Sequence, residues 1–222
     1  MNDSKCEIHS EDGIRFFGET VASVSHEIKN CLAIMNESAG LLQDLVMLNQ
    51  KGKPLDPARI DRIAQQISGQ IQRADTIVKN LNSFAHSSDL PEKNIDLSEI
   101  LSLTVALAKR SAANRGVSIH LILPQKKIMT TTNPFFFMQV IRQCLDFSMS
   151  TVGAEKVVEV MPDVKEDHIE IVFAKLEDLE TQNRNLFFTE KLETMLEKLG
   201  AHLDINDKRT EFCLVFDGSR QK

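Results

Sequence analysis

The sequence has no excess of positive charge: 26 Lys and Arg stand against 32 Asp and Glu, a formal net charge of −6 over 222 residues. A general electrostatic grip on nucleic acid needs many basic residues to neutralise phosphates, so no nucleic-acid partner is expected. Cysteine is scarce and scattered. Cys6, Cys31, Cys144 and Cys213 form no C-x-x-C pair, which argues against a zinc site. Three of the four fall in apolar patterns and read as buried thiols of a reducing compartment. No stretch shows the continuous apolar run of a signal peptide or membrane span. These absences predict a cytoplasmic protein without a membrane span, and the length allows one large or two small domains.

What the sequence does contain, from its first third onward, is a seven-residue apolar repeat. Ile14, Val21, Ile28, Met35 and Leu42 form one register, Phe17, Val24, Cys31 and Leu45 the other, and Ser38 alone breaks the second series. Sustained a/d spacing of this kind predicts one long helix with a buried seam, over about residues 13–50. Residues 1–12 are polar and predict a flexible N-terminus. With Ile28 at an a position, His26 falls at f, turned away from the seam. Asn30 lies four residues on, one turn along the same exposed side. Glu27 sits beside His26.

The stretch Ser25-His26-Glu27-Ile28-Lys29-Asn30, placed midway along a heptad helix, resembles the H-box of two-component sensor histidine kinases. The resemblance implies that His26 is the phosphoacceptor, since neutral imidazole is a nucleophile near neutral pH. It implies that Glu27 orients the ring and accepts its proton, and that Asn30 serves phosphatase chemistry. Ser25 and Lys29 border these positions and are expected to contribute to partner docking, Lys29 against an acidic receiver pocket. The family commonly has Pro after the Asn; here Cys31 stands there, which removes a helix kink and leaves the chemical positions intact. Most members carry a sensory or membrane input module, for which residues 1–12 leave no room.

Asn49-Gln50-Lys51-Gly52-Lys53-Pro54 stops the first helix, and Asp56-Pro57 starts a second with Asp as N-cap and Pro in the first turn. Ile60, Ile63, Ile67, Ala74, Ile77, Leu81 and Phe84 carry heptad spacing to about His86. Two amphipathic helices joined by a short loop predict an antiparallel hairpin over 13–88. Two such helices cannot bury both seams alone, so a homodimer with a four-helix bundle is expected. Arg73–Ala85 resembles the end of the second helix in kinase dimerisation domains.

Ser87-Ser88-Asp89-Leu90-Pro91 reads as a linker. Beyond it the pattern changes to a second domain over 94–218. A capping box at Asp96-Leu97-Ser98-Glu99 opens a helix that runs to about Asn114. Then follow a strand at 117–123, a helix at 134–150 opened by Pro134, a hairpin of strands at 157–162 and 169–173, a helix at 186–200, and a last hairpin at 202–205 and 211–216. The expected class is α+β: the dimeric helical hairpin followed by a truncated α/β sandwich, one mixed sheet with helices on one face.

This order resembles the ATP-binding domain that follows the H-box in histidine kinases, and Gln139-Val140-Ile141 is typical of the helix bearing the N-box. Where the family places the Asn side chains that hold Mg²⁺ and phosphate, this sequence has Gln143 and Phe147. Phe coordinates no cation. The Asp-x-Gly-x-Gly turn is replaced by Ala174-Lys175-Leu176-Glu177-Asp178, and the glycine-rich turn before the last helix by Asn185-Leu186-Phe187-Phe188. Glycine in such turns lets backbone N–H groups reach phosphate, and the short stretch 174–185 leaves no length for a nucleotide lid. Asp178 could be a displaced adenine-reading carboxylate, but an acidic loop of Glu177, Asp178 and Glu180 accounts for it as well. Phe135-Phe136-Phe137, at a helix start, reads as core rather than a partner surface.

The expected function is therefore a phosphorelay histidine phosphotransferase. His26 exchanges phosphoryl groups with response-regulator receiver domains, without ATP and without a cofactor of its own, Mg²⁺ coming from the receiver. Two alternatives stand beside it: a sensor histidine kinase with a divergent ATP site, and a receiver phosphatase or pseudokinase scaffold.

Overall fold

The computed structural model describes the backbone of residues 3–165, 168–177, 179, 187, 189–206 and 210–217, with side chains from residue 11 to 216 within those ranges. The chain divides into two compact units, Met1–Ser83 and Phe84–Lys222.

The first unit is a helical hairpin of α1 (Asp3–Gln50) and α2 (Pro57–Ala85). α1 begins at Asp3 rather than near residue 13: its polar first turns contain no proline, so nothing in them stops backward extension. The turn between the helices follows from Gly52, whose φ of +83° few other residues tolerate. Asp56 Oδ1 accepts from the Ala58 N–H at 3.0 Å, the cap expected there.

From Val24 onward the d series of α1 is the buried seam, while Phe17, one heptad earlier, is 39% exposed. Val24, Cys31 and Leu45 are nearly inaccessible, and so is Ser38, the residue that breaks the apolar series. Thr20 at a g position is buried with them, as is Ile63 of α2. The g–d side of α1 is thus the covered side. The a series is at best half-buried, with Ile14 71% exposed, and the adjoining e positions leave Leu32 55% and Val46 52% exposed. On α2, Ile71 and Val78 are similarly open at 54% and 41%.

Within α1, over Glu11–Gln50, an 18-residue window reaches a mean hydropathy of 1.2, so the helix passes as a span by length and composition only. Its apolar residues fall in heptad stripes rather than in a continuous run. Glu37 and Asp44 interrupt them, and carboxylates at mid-helix are costly in hydrocarbon.

Among its described residues the second unit contains a five-stranded mixed sheet, a two-stranded sheet, a short 3-10 turn at His86–Ser88 and three α-helices. Its elements are β1 (Lys93–Asp96), α3 (Leu97–Asn114), β2 (Ser118–Leu121), β3 (Met129–Thr132), α4 (Pro134–Ser150), β4 (Val157–Val164), β5 (His168–Ala174), α5 (Glu190–Leu199), β6 (Ala201–Ile205) and β7 (Phe212–Asp217). The sheet order is β2-β4-β5-β7-β6, with β2 and β4 parallel and the other neighbours antiparallel. Burial alternates along β4 and β5, so Val158, Val160, Ile169, Ile171 and Phe173 face one core with α3, α4 and α5. Local chemistry sets the helix ends. Asp96 caps α3, Asn133 caps α4 through a 2.8 Å bond from the Phe136 N–H, and Gly200 ends α5 at φ +62°.

Two details depart from expectation. Asp96 accepts from the Ser98 N–H, while Glu99 lies 3.5 Å from Lys127. A separate two-stranded sheet, β1 with β3, was not foreseen.

Candidate functional site

His26 projects from the middle of α1 on the side opposite the buried d series, and it is exposed, as are Ser25, Lys29 and Asn30. The heptad places them there: Val24 and Cys31, flanking the motif at d positions, fix the helix rotation through burial. Asn30 stands one helical turn beyond His26. The five residues named from sequence therefore share one stretch of helix, with four open to solvent and Glu27 the exception.

Glu27 is at a g position, on the side covered by α2, and its side chain is 18% exposed. Its Oε2 lies 3.9 Å from Nη2 of Arg73 on α2. Arg73 opens the stretch Arg73–Ala85 that resembles the end of the second dimerisation helix, and that resemblance implies no role for it. Charge pattern within one helix could not reveal the pair, because it depends on how the two helices register against each other.

In the second unit, the positions that the resemblance assigns to nucleotide contacts are filled by packing. Phe147 stacks on Phe187 with ring centroids 4.1 Å apart and planes 5° from parallel. Phe212 lies 5.6 Å from Phe147 and stacks on Phe173 at 4.8 Å. Gln143 Nε2 donates to Met195 Sδ at 3.5 Å, so its amide points at α5. Glu177 is tied to the turn before β4: its N–H donates to Thr151 O at 2.7 Å and its Oε1 accepts from Ala154 N at 3.2 Å. Asp178, Glu180, Asn185, Leu186 and Phe188 lie outside the described residues. Of the aromatic run at the start of α4, Phe137 is core, its ring 5.4 Å from Phe216, and Phe136 carries Lys198 Nζ 5.5 Å from its ring centroid.

Among the described residues no group of three or more His, Cys, Asp or Glu is arranged to hold a metal ion. Cys31 and Cys144 are buried free thiols, and burial pushes the Cys144 thiol upward. Cys213 departs from the buried reading. It is half-exposed on the open face of the sheet, its thiol pushed up to about 11 by partial burial and then by the carboxylates of Glu170, Glu211 and Asp204. Neither the Cys144 nor the Cys213 sulfur is an activated nucleophile.

No family model matches the sequence, and no curated protein matches it. Several solved structures align with it. The histidine kinase AdeS of Acinetobacter baumannii does so at 11% identity and a TM-score of 0.49, covering 89% of this chain and 98% of that one. The cytoplasmic segment of histidine kinase QseC aligns at 16% identity and a TM-score of 0.44, covering 66% and 93%. The mycobacterial sensor histidine kinase MprB aligns at 14% identity and a TM-score of 0.45, covering 57% and 97%. At TM-scores below one half these likenesses carry no weight for chemistry, which rests on the residues themselves.

Proposed function

We propose that this protein is a histidine phosphotransferase of two-component signalling, a phosphoprotein that takes a phosphoryl group on His26 from a receiver aspartyl phosphate and passes it to another receiver. The observation that carries this reading is the placement of His26: solvent-exposed at mid-helix, within Ser-His-Glu-Ile-Lys-Asn, on a helix whose opposite stripe is locked by burial. In the transfer, an imidazole nitrogen attacks phosphorus as the bond to the receiver's carboxylate breaks. The carboxylate leaves with the bonding pair, and the proton on the other ring nitrogen passes to Glu27. Such chemistry asks mainly for positioning and charge stabilisation. The receiver brings the Mg²⁺ in this reading, and the protein holds no cofactor.

Transfer without ATP is favoured over autokinase activity by the second unit. The ring of Phe147 is stacked on Phe187 where the resemblance would require an Asn amide open to Mg²⁺ and phosphate. A receiver phosphatase is the second reading, and exposed Asn30, one turn from His26, is what favours it. A homodimer accounts for the open a and e positions of α1 and for Ile71 and Val78 of α2. A second hairpin laid there would complete a four-helix bundle. Buried free thiols suit the cytoplasm.

The test is to charge receiver domains from the same organism with acetyl phosphate, add the protein, and follow acid-labile phosphate by intact mass. Gain of one phosphate by the wild type and none by His26→Gln supports the reading. Loss of receiver phosphate with no gain on the chain, at a rate that His26→Gln preserves, would replace it with the phosphatase.

A further inference from the structure

Arg73 is a cation paired with Glu27, the residue that follows the phosphoacceptor, and the chemistry so far leaves it unused. It sits on α2, its side chain 59% exposed, with Nη2 3.9 Å from Glu27 Oε2. The carboxylate beside His26 is therefore turned towards α2. A separation of 3.9 Å at a half-open surface is a loose ion pair of little value to stability. It is short enough to hold the carboxylate and loose enough to exchange. Guanidinium binds phosphoryl oxygens in a bidentate fork as readily as it binds carboxylate.

We propose that Arg73 is the protein's own ligand for the phosphoryl group during transfer at His26, taking it in exchange for Glu27. This rests on the reading of His26 as phosphoacceptor. At rest the guanidinium holds the Glu27 carboxylate. An arriving phosphoryl group carries more negative charge than one carboxylate and offers two or three oxygens, so it takes Arg73. Glu27 is thereby released to receive the proton from the second ring nitrogen of His26. One guanidinium serving two anions in turn links arrival of the phosphoryl group to availability of the base. The bonds made and broken are those of the transfer itself: nitrogen to phosphorus forms, aspartyl oxygen to phosphorus breaks, and Arg73 stays protonated throughout.

The experiment uses the full-length protein and receiver domains charged with acetyl phosphate, scoring label on His26 for wild type, Arg73→Ala and Arg73→Lys. Loss of a preorganised donor to developing charge predicts that Arg73→Ala slows the transfer step by about tenfold or more with the KM for receiver unchanged. Arg73→Lys recovers part of that rate. Guanidinium ion added at millimolar concentration restores Arg73→Ala in a saturable way, which loss of a structural contact would not allow. Circular dichroism and melting of the variant stay as in the wild type, because a 3.9 Å pair whose Arg73 side chain is 59% exposed adds little to stability. A wild type that labels while Arg73→Ala labels at the same rate overturns the proposal alone, and so does a slowed Arg73→Ala that guanidinium does not rescue. A wild type that takes no label on His26 overturns the reading beneath it and the proposal with it.

Discussion

Replacing Phe147 by Asn restores the residue type that the kinase resemblance places there, and the structure says what this does. The ring is stacked on Phe187 at 4.1 Å and lies 5.6 Å from Phe212, while the residue as a whole is half-buried. Truncating a fully buried Phe costs about 3–5 kcal/mol, and half-burial takes roughly half of that. The stacked pair adds about 1 kcal/mol, and an amide set among rings without a partner costs roughly another 1 kcal/mol. The sum is about 3.5–4.5 kcal/mol. For a unit of this size it lowers the melting temperature by on the order of 10 °C. Urea unfolding followed by a probe in the second unit measures the loss, with Phe147→Leu expected to keep most of the stability. Calorimetry with millimolar Mg·ATP should show no binding to Phe147→Asn, because Gln143 remains committed to Met195 and one amide does not rebuild a set of oxygen ligands. A cost below about 0.5 kcal/mol would show that the ring is not part of the packing. Saturable Mg·ATP binding by Phe147→Asn would show a nucleotide site intact but for one residue, and the case against autokinase activity would collapse.

Other outcomes follow from the same structure. Leu32→Asp combined with Ile71→Asp places carboxylates on the open stripe of the hairpin, 55% and 54% exposed; light scattering should show a monomer with helical content retained, and a persisting dimer would move its interface elsewhere. Asn30→Ala should slow any loss of phosphate from a charged receiver by about tenfold while leaving gain on His26 intact; unchanged dephosphorylation would remove Asn30 from that chemistry. Cys213 has an ordinary thiol value of 9.0 raised in the fold to about 11. The folded state therefore resists losing that proton. Its contribution to stability is full below pH 9.0 and is lost as pH rises from there through about 11. Melts across that window should fall less steeply for Cys213→Ala than for the wild type, and parallel curves would refute the assignment.

Much of this architecture is legible from the residues because local signals agree with tertiary demands. The heptad of α1 fixed which face is buried, and the face opposite is where His26 lies. Helix α4 spans the residues expected, since Asn133 as cap and Pro134 after it define a start that packing has no reason to move. What escaped the sequence depends on pairing across distance. Strand β1 reads Lys-Asn-Ile-Asp, four residues without alternation, and exists because β3 lies beside it. Ser38 looked like a break in the seam and is buried within it, where neighbours on both sides at Cys31 and Leu45 leave it no alternative. Arg73 meets Glu27 through the register of the hairpin, which two separate amphipathic patterns do not specify. Cys213 sits in an apolar strand, yet its alternation turns it to the open face of the sheet, next to Glu170 and Asp204.

The measurement that bears most directly on the central claim is the source of phosphate on His26. The purified protein is incubated in parallel with Mg·ATP alone and with receiver domains charged by acetyl phosphate, beside His26→Gln, and acid-labile phosphate is located by mass spectrometry. The account predicts phosphate on His26 from a charged receiver, none from Mg·ATP, and none on His26→Gln, whose helical fold is unchanged because an f position does not pack. Phosphate on His26 from Mg·ATP alone, or equal labelling of His26→Gln by the receiver, would contradict it.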